Sequence, residues 1–389
     1  MSSTLAEPLA ASALSVRKGT SQTHDVELAA QELFEALNQP DIKLAVFYCS
    51  PAYDLPALAG ALHERFQDIP LIGCTTAGEI TPMGYLSGAL TGFSLAAPSM
   101  EVATRLISLE PFDRAATIAD VGALRAQLTR TDGTAPSATD TFGFLLIDGL
   151  AMQEEILVSC VYQELQGIDL IGGSAADDVT FGATYLYHNG QLHRNVAVLT
   201  LVRSSLPFMA FRTQHFVHSS TRMVVTAAEP AQRTVFEING LPAAREYARL
   251  LNLDISELTP MTFATYPVMV RVGGQYFVRS IAKVNGDESL LFFCAIDEGI
   301  VLTIAQGVDM VETLQQAFDQ VRQTLGVPDL VLGCDCVLRR LETEREGIKE
   351  KIGQIFCDNN VVGFATYGEQ YNAMHVNQTF TGIAIGRSR

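Results

Sequence analysis

Glu79 and Glu369 close the same spaced pattern, G-x-x-T-x-G-E, in Gly73-Cys74-Thr75-Thr76-Ala77-Gly78-Glu79 and Gly363-Phe364-Ala365-Thr366-Tyr367-Gly368-Glu369. A third stretch, Gly172-Gly173-Ser174-Ala175-Ala176-Asp177-Asp178, keeps the register but ends on aspartates. Two carboxylates in equivalent slots can do acid–base work, as in a hydrolase, when their surroundings separate their pKa values. The pattern also has a plainer reading, because glycine permits unusual φ and a turn glutamate accepts N–H bonds. Gly73, Thr75, Thr76, Glu79, Gly172, Gly173, Ser174, Thr366, Gly368 and Glu369 are thus candidates for holding a small organic ligand such as an amino acid. Cys74 is a weak nucleophile candidate, since its equivalents are Gly173 and Phe364 and no histidine is near it in sequence. Cys334-Asp335-Cys336 is too closely spaced for a zinc knuckle, and neither G-x-G-x-x-G nor the P-loop pattern occurs.

Histidines are the second chemistry-bearing set. His375 follows the third glycine turn with Tyr371 and Met374 near it, while His188 and His193 flank Asn189-Gly190 after the second. A neutral imidazole in such a loop is able to ligate haem iron, with apolar walls for the macrocycle and cations for its propionates. Against this stands the ordinary hydrogen-bonded loop histidine. His63 reads as a solvated helix residue, and His215 and His218, three apart on an expected strand, face opposite sides and cannot share a metal. Arg203, Arg212, Arg271, Arg279 and Lys283 form a pool of strand cations able to meet an anion, in competition with 43 acidic residues.

The elements that position these residues repeat. Leu44 to Cys49, Phe142 to Ile147 and Leu330 to Leu332 read as buried strands, each followed by a helix (Pro56 to Phe66, Glu154 to Leu165, Leu338 to Phe356) and then by a glycine turn. Strand, helix and parallel strand make a βαβ unit. A further strand follows each turn, at Leu90 to Leu95, Val196 to Leu201 and Phe380 to Ile385. Between the second and third units the texture changes to short strands from Phe208 to Ala295, with a helix over Ala243 to Leu251 and an amphipathic helix over Val308 to Leu325. The fold class expected is α/β, with two domains of repeated βαβ-type units and an antiparallel strand-rich region in the second. The divisions expected are a disordered leader over 1–24, one domain over 25–220 and another over 221–389.

Composition narrows the function. A net charge of −17 repels phosphate backbones and anionic lipid, which argues against nucleic acid and membrane partners. Seven scattered cysteines make no disulfide framework and suit a reducing cytoplasm. No apolar run reaches the ~18 residues of a membrane span.

Gly73 to Ile80 and Leu170 to Ala175 resemble motifs of the N-terminal domain of the FIST family of sensory proteins. Val235-Phe236-Glu237-Ile238-Asn239-Gly240-Leu241-Pro242-Ala243 resembles the opening of its C-terminal domain, and Gly363 to Glu369 with Asn377-Gln378-Thr379 resembles its end. The resemblance implies an intracellular sensor without catalytic activity that binds a small ligand and reports to a signalling partner. His375 before Asn377-Gln378-Thr379 is most similar to the nitric-oxide-sensing members. These imply a non-covalent haem b, nitric oxide as signal, and a cytoplasmic histidine kinase or cyclic-di-GMP enzyme as partner. His375 is then the first choice of iron ligand, His188 and His193 the alternatives, and Arg271 and Arg279 the propionate candidates. Monomer and homodimer both stay open.

Overall fold

A computed structural model describes residues 14–386. Its organising feature is a threefold repeat closed by exchange of hairpins. Each unit has a parallel strand pair, Leu44–Cys49 with Leu71–Thr75, Thr141–Ile147 with Asp169–Ser174, and Leu330–Cys336 with Val361–Thr366. Beside the first strand of each pair runs an antiparallel return strand (Leu90–Ala96, Val196–Arg203, Thr379–Ile385), and beyond it an edge strand (Ser15–Ser21, Glu101–Ser108, Phe208–Gln214). The sixth and fifth positions of each sheet are filled from elsewhere. The first unit's hairpin, Glu79–Leu86, joins the third unit at Gly363 and Phe364, and the third unit's hairpin, Glu369–Val376, joins the second unit at Ile171 to Gly173. The second unit's hairpin, Leu186–His193, joins the first unit at Ile72 to Cys74. The cycle is complete.

Continuous apolar strands such as Thr141–Ile147 are buried along their whole length, as a sheet covered on both faces requires. Their inner faces meet in one core that takes Tyr48 and Phe93 from the first unit, Phe142 and Phe144 from the second, and Phe364 and Ile383 from the third. Helices cover the outside. Those over Val26–Leu37, Leu55–Phe66, Arg114–Gln127 and Met310–Leu325 each begin behind an aspartate whose side chain accepts amide N–H groups of the first turn.

The second body is an antiparallel domain over 216–307 with its own core, including Val235, Tyr247, Phe263 and Leu302. It is inserted into the third unit between the edge strand Phe208–Gln214 and the helix Met310–Leu325. The α/β class with repeated βαβ units and an antiparallel region is therefore as expected. Two divisions and one helix are corrected. Ser15–Ser21, assigned to a disordered leader, is an edge strand registered on Leu90–Ala96; residues 1–13 lie outside those described. A boundary near residue 220 cuts across the sheets, because Phe208–Gln214 pairs with Thr379–Ile385 and Glu79 with Phe364. The charged helix expected from Leu338 to Phe356 is two helices, Val337–Arg345 and Lys349–Asp358, broken at Gly347 with φ +67°.

Candidate functional site

The three glycine turns are the places where the chain crosses from one unit to the next. Ala77 N–H donates to the Ala365 carbonyl and Ala365 N–H to that of Gly78; Ser174 N–H donates to the Gly368 carbonyl, and Ala176 N–H to that of Thr75. The equivalent residues Ala77, Ala176 and Tyr367 meet in one buried cluster, which marks the pseudo-threefold axis. Small residues are needed in the strands that lead into these crossings because the neighbouring strand of the same unit lies against them. A Cβ on Gly172 would lie 2.1 Å from the Leu145 carbonyl oxygen, and one on Gly73 2.6 Å from the Phe47 ring.

The turn glutamates fasten the following strand. Thr76 Oγ1 donates to Glu79 at 2.6 Å and Ala89 N–H at 3.1 Å; Thr379 donates to Glu369 through both its N–H, at 3.1 Å, and its hydroxyl, at 2.6 Å. Burial pushes Glu79 up to about 7 and Glu369 far above the usual carboxylate range. They lie in separate networks of different sheets. Thr75 Oγ1 accepts Tyr185 N–H, and Thr366 Oγ1 donates to the Gly368 carbonyl, so these candidates are also committed to the crossings. Gly78 has the positive φ expected, +125°, whereas Gly368 is required for a different reason: a Cβ there would stand 2.2 Å from His375 Cε1.

His375 is buried where the third hairpin passes under the inserted domain. Desolvation lowers its pKa, opposed by the nearby Glu155 and Glu154. Gln370 Nε2 lies within hydrogen-bond reach of the Gly368 carbonyl at 3.3 Å, of Ser174 Oγ at 3.1 Å and of His375 Nδ1 at 3.3 Å, with two hydrogens to share among them. The carbonyl contact fixes the amide's orientation, and His375 Nε2 has no partner. Unpartnered buried polar atoms gather in this segment, with Glu369 Oε1, Gln370 Oε1, both amide atoms of Asn377, Gln378 Oε1 and Thr381 Oγ1.

His188 and His193 do not join it. Hairpin register makes His375 equivalent to Leu192 and to Tyr85, because Gln370 pairs with His375 as Tyr187 pairs with Leu192 and Ile80 with Tyr85. His188 Nε2 instead meets Thr104 Oγ1 at 3.0 Å. Arg271 is exposed on the inserted domain and packs over Tyr276, away from His375; Arg279 reaches the His375 carbonyl at 3.4 Å. Tyr371 and Met374 pack against the inserted domain's core.

Two cavities adjoin this junction. One of about 940 Å³ is an open trough of mixed lining whose walls include the carboxylates of Asp309, Glu312 and Glu342. The other, about 480 Å³, lies over the axis and is mainly apolar. Leu338, Phe181 and Tyr367 form its floor, and Ile281, Phe292 and Phe293 of the inserted domain its roof. Phe181 and Tyr367 stack at 4.8 Å, and Tyr367 donates its hydroxyl to Asp177. On its wall Arg233 of the inserted domain binds Glu154 and, at 2.8 Å, Glu155 at the start of the helix Glu154–Leu165. An apolar enclosure of this size with few polar groups suits a small organic ligand better than the trough does. Sequence reasoning missed the cavity because its walls come from eight separate stretches of chain between Gly149 and Tyr367.

A haem on His375 does not fit these residues. The ring is buried and packed on Gly368, and no histidine is among the residues lining the apolar cavity. Among the described residues no three His, Cys, Asp or Glu side chains form a metal-ion cluster, and no helix is long and apolar enough to cross a membrane.

Three exchanged βαβ units with an inserted β domain and a cavity between them define a two-body α/β binding module. Sequence comparison agrees: the FIST N domain profile matches residues 43–241 and the FIST C domain profile residues 243–372, so the chain belongs to the FIST family. FIST domains are sensory modules for small ligands in signalling. An uncharacterized protein of Methanocaldococcus jannaschii is 25% identical over 369 residues, covering 83% of this chain and 70% of that protein.

Proposed function

We propose that this chain is a small-ligand sensor whose ligand occupies the 480 Å³ cavity between the threefold ring and the inserted domain. One observation carries the reading: floor and roof come from different bodies. An occupant that contacts both binds best at one spacing between them and shifts the population toward it. The wall chemistry favours a flat, largely apolar molecule against Phe181 and Tyr367, with a polar group directed at the Arg233–Glu154 pair. The output is a signalling partner of the histidine kinase or cyclic-di-GMP enzyme class, without catalysis by the chain itself.

A metabolite screen by thermal unfolding tests this, because a ligand of the native state raises the melting temperature. Leu341 lines the cavity and is 38% exposed, so Leu341→Arg blocks it at small structural cost. A compound that stabilises the wild type and not Leu341→Arg is expected. Equal stabilisation of both proteins rules the cavity out.

The second reading is a haem-dependent nitric oxide sensor similar to NosP proteins. It is supported by the apolar walls and by Lys283 and Arg233 at the same cavity, and opposed by the setting of His375. Reconstitution with haem b separates the readings. A Soret band that shifts with nitric oxide supports the second, and absence of a band ends it.

A further inference from the structure

Three buried arginines of this molecule have carboxylate partners: Arg203 with Asp140, Arg233 with Glu154, and Arg339 with Asp335. Two others do not. Arg279 is 8% exposed, and its Nη1 donates only to the carbonyls of Val278 at 3.1 Å and His375 at 3.4 Å. Arg212 is half-buried, its Nη1 has no partner, and its guanidinium lies 4.4 Å from the centre of Phe277 and 5.6 Å from that of Tyr371. Phe277 and Arg279 are two apart on one strand and so share a face, which brings the second guanidinium to the side where the first is held. Burial lowers the Arg212 pKa and the Arg279 charge lowers it further, while Tyr371 opposes both. Gln214, two residues beyond Arg212 on its strand, has an unpartnered Oε1, and Ser280, next to Arg279, an unpartnered buried Oγ.

Burying guanidinium groups without a counter-charge is costly, and a chain with 43 acidic residues had ample means to supply one. We propose that Arg212 and Arg279 form a binding site for a small oxyanion, a carboxylate or a phosphate, at the seam between the third unit and the inserted domain. The planar forks of two arginines can each give parallel N–H bonds to such a group, and the rings of Phe277 and Tyr371 hold the Arg212 plane in place. This site shares no residue with the apolar cavity and does not depend on it.

The test uses the full chain in sodium chloride, sodium phosphate and sodium succinate at matched ionic strength. Phosphate or succinate is expected to raise the unfolding temperature by roughly 3 °C or more at saturation, with chloride inactive. The oxyanion that acts identifies the source. In calorimetry Arg212→Gln and Arg279→Gln should each weaken its binding about tenfold or more, and Leu341→Arg should leave it intact. Without anion Arg212→Gln should unfold no lower than the wild type, an outcome that a merely structural arginine would not give. If Gln variants fail to fold, Arg212→Lys, which keeps the charge and loses the fork, must bind measurably more weakly. A wild type indifferent to both oxyanions, or variants that respond undiminished, would overturn the proposal.

Discussion

Glu79 has both oxygens bonded and still sits at about 7, because removal from water outweighs the help of Thr76 and Ala89. Its folded pKa is above the ordinary value of 4.5, so its stabilising contribution is complete below about pH 4.5 and is lost as pH rises through 7. Glu79→Gln should therefore gain on the wild type between pH 5 and pH 8 by up to about 3 kcal/mol in chemical denaturation. A gap that does not change with pH would refute the shifted carboxyl. Gly368 offers a second residue-level test. Gly368→Ala forces a methyl into the His375 ring and should cost roughly 1–3 kcal/mol. His375→Ala in the same chain should return part of that, giving a coupling energy in a double-mutant cycle.

At the level of elements, the exchanged hairpins should behave as core. The amides of Glu369–Tyr371 belong to a strand paired with Ile171 to Gly173 of another unit, so hydrogen exchange there should be as slow as in Asp169–Ser174. Fast local exchange would mean the hairpin opens by itself. The βαβ units were readable from sequence because apolar runs, helices and glycine turns recur in the same order. Ser15–Ser21 was not, since an edge strand of Ser, Arg, Lys and Thr is held by backbone pairing and shows no apolar alternation. Nor does a hairpin carry a local signal of which sheet it will enter. The turn glutamates and His375 were identified by spacing, but only the hairpin register separated His375 from His188 and His193. Arg212 and Arg279 were visible merely as members of a cation pool, because a missing partner is a property of three dimensions.

Over the whole molecule, the inserted domain is clamped to the ring by the buried Arg233 pair with Glu154 and Glu155. Arg233→Met leaves Glu154, 2% exposed, without its counter-charge and should destabilise by about 3–5 kcal/mol. Limited proteolysis should then cut within 216–307 earlier than in the wild type; unchanged cleavage would show that the clamp does not hold the two bodies together. The covalent attachment is narrower than this contact area suggests. Phe216 pairs with Gly307, and Val308 N–H donates to the His215 carbonyl at 2.8 Å, so the chain enters and leaves the insertion side by side. The domain is a door hung on one hinge post, with every other fastening a latch that can be released without breaking the chain. At that post His215 accepts from Arg339 at 2.9 Å through Nδ1 and donates through Nε2 to Glu342, tying the hinge into the third unit's charged helix. That helix also gives Leu338 and Leu341 to the cavity wall, so an occupant of the cavity would press on the element that carries the hinge's own anchors, Arg339 and Glu342.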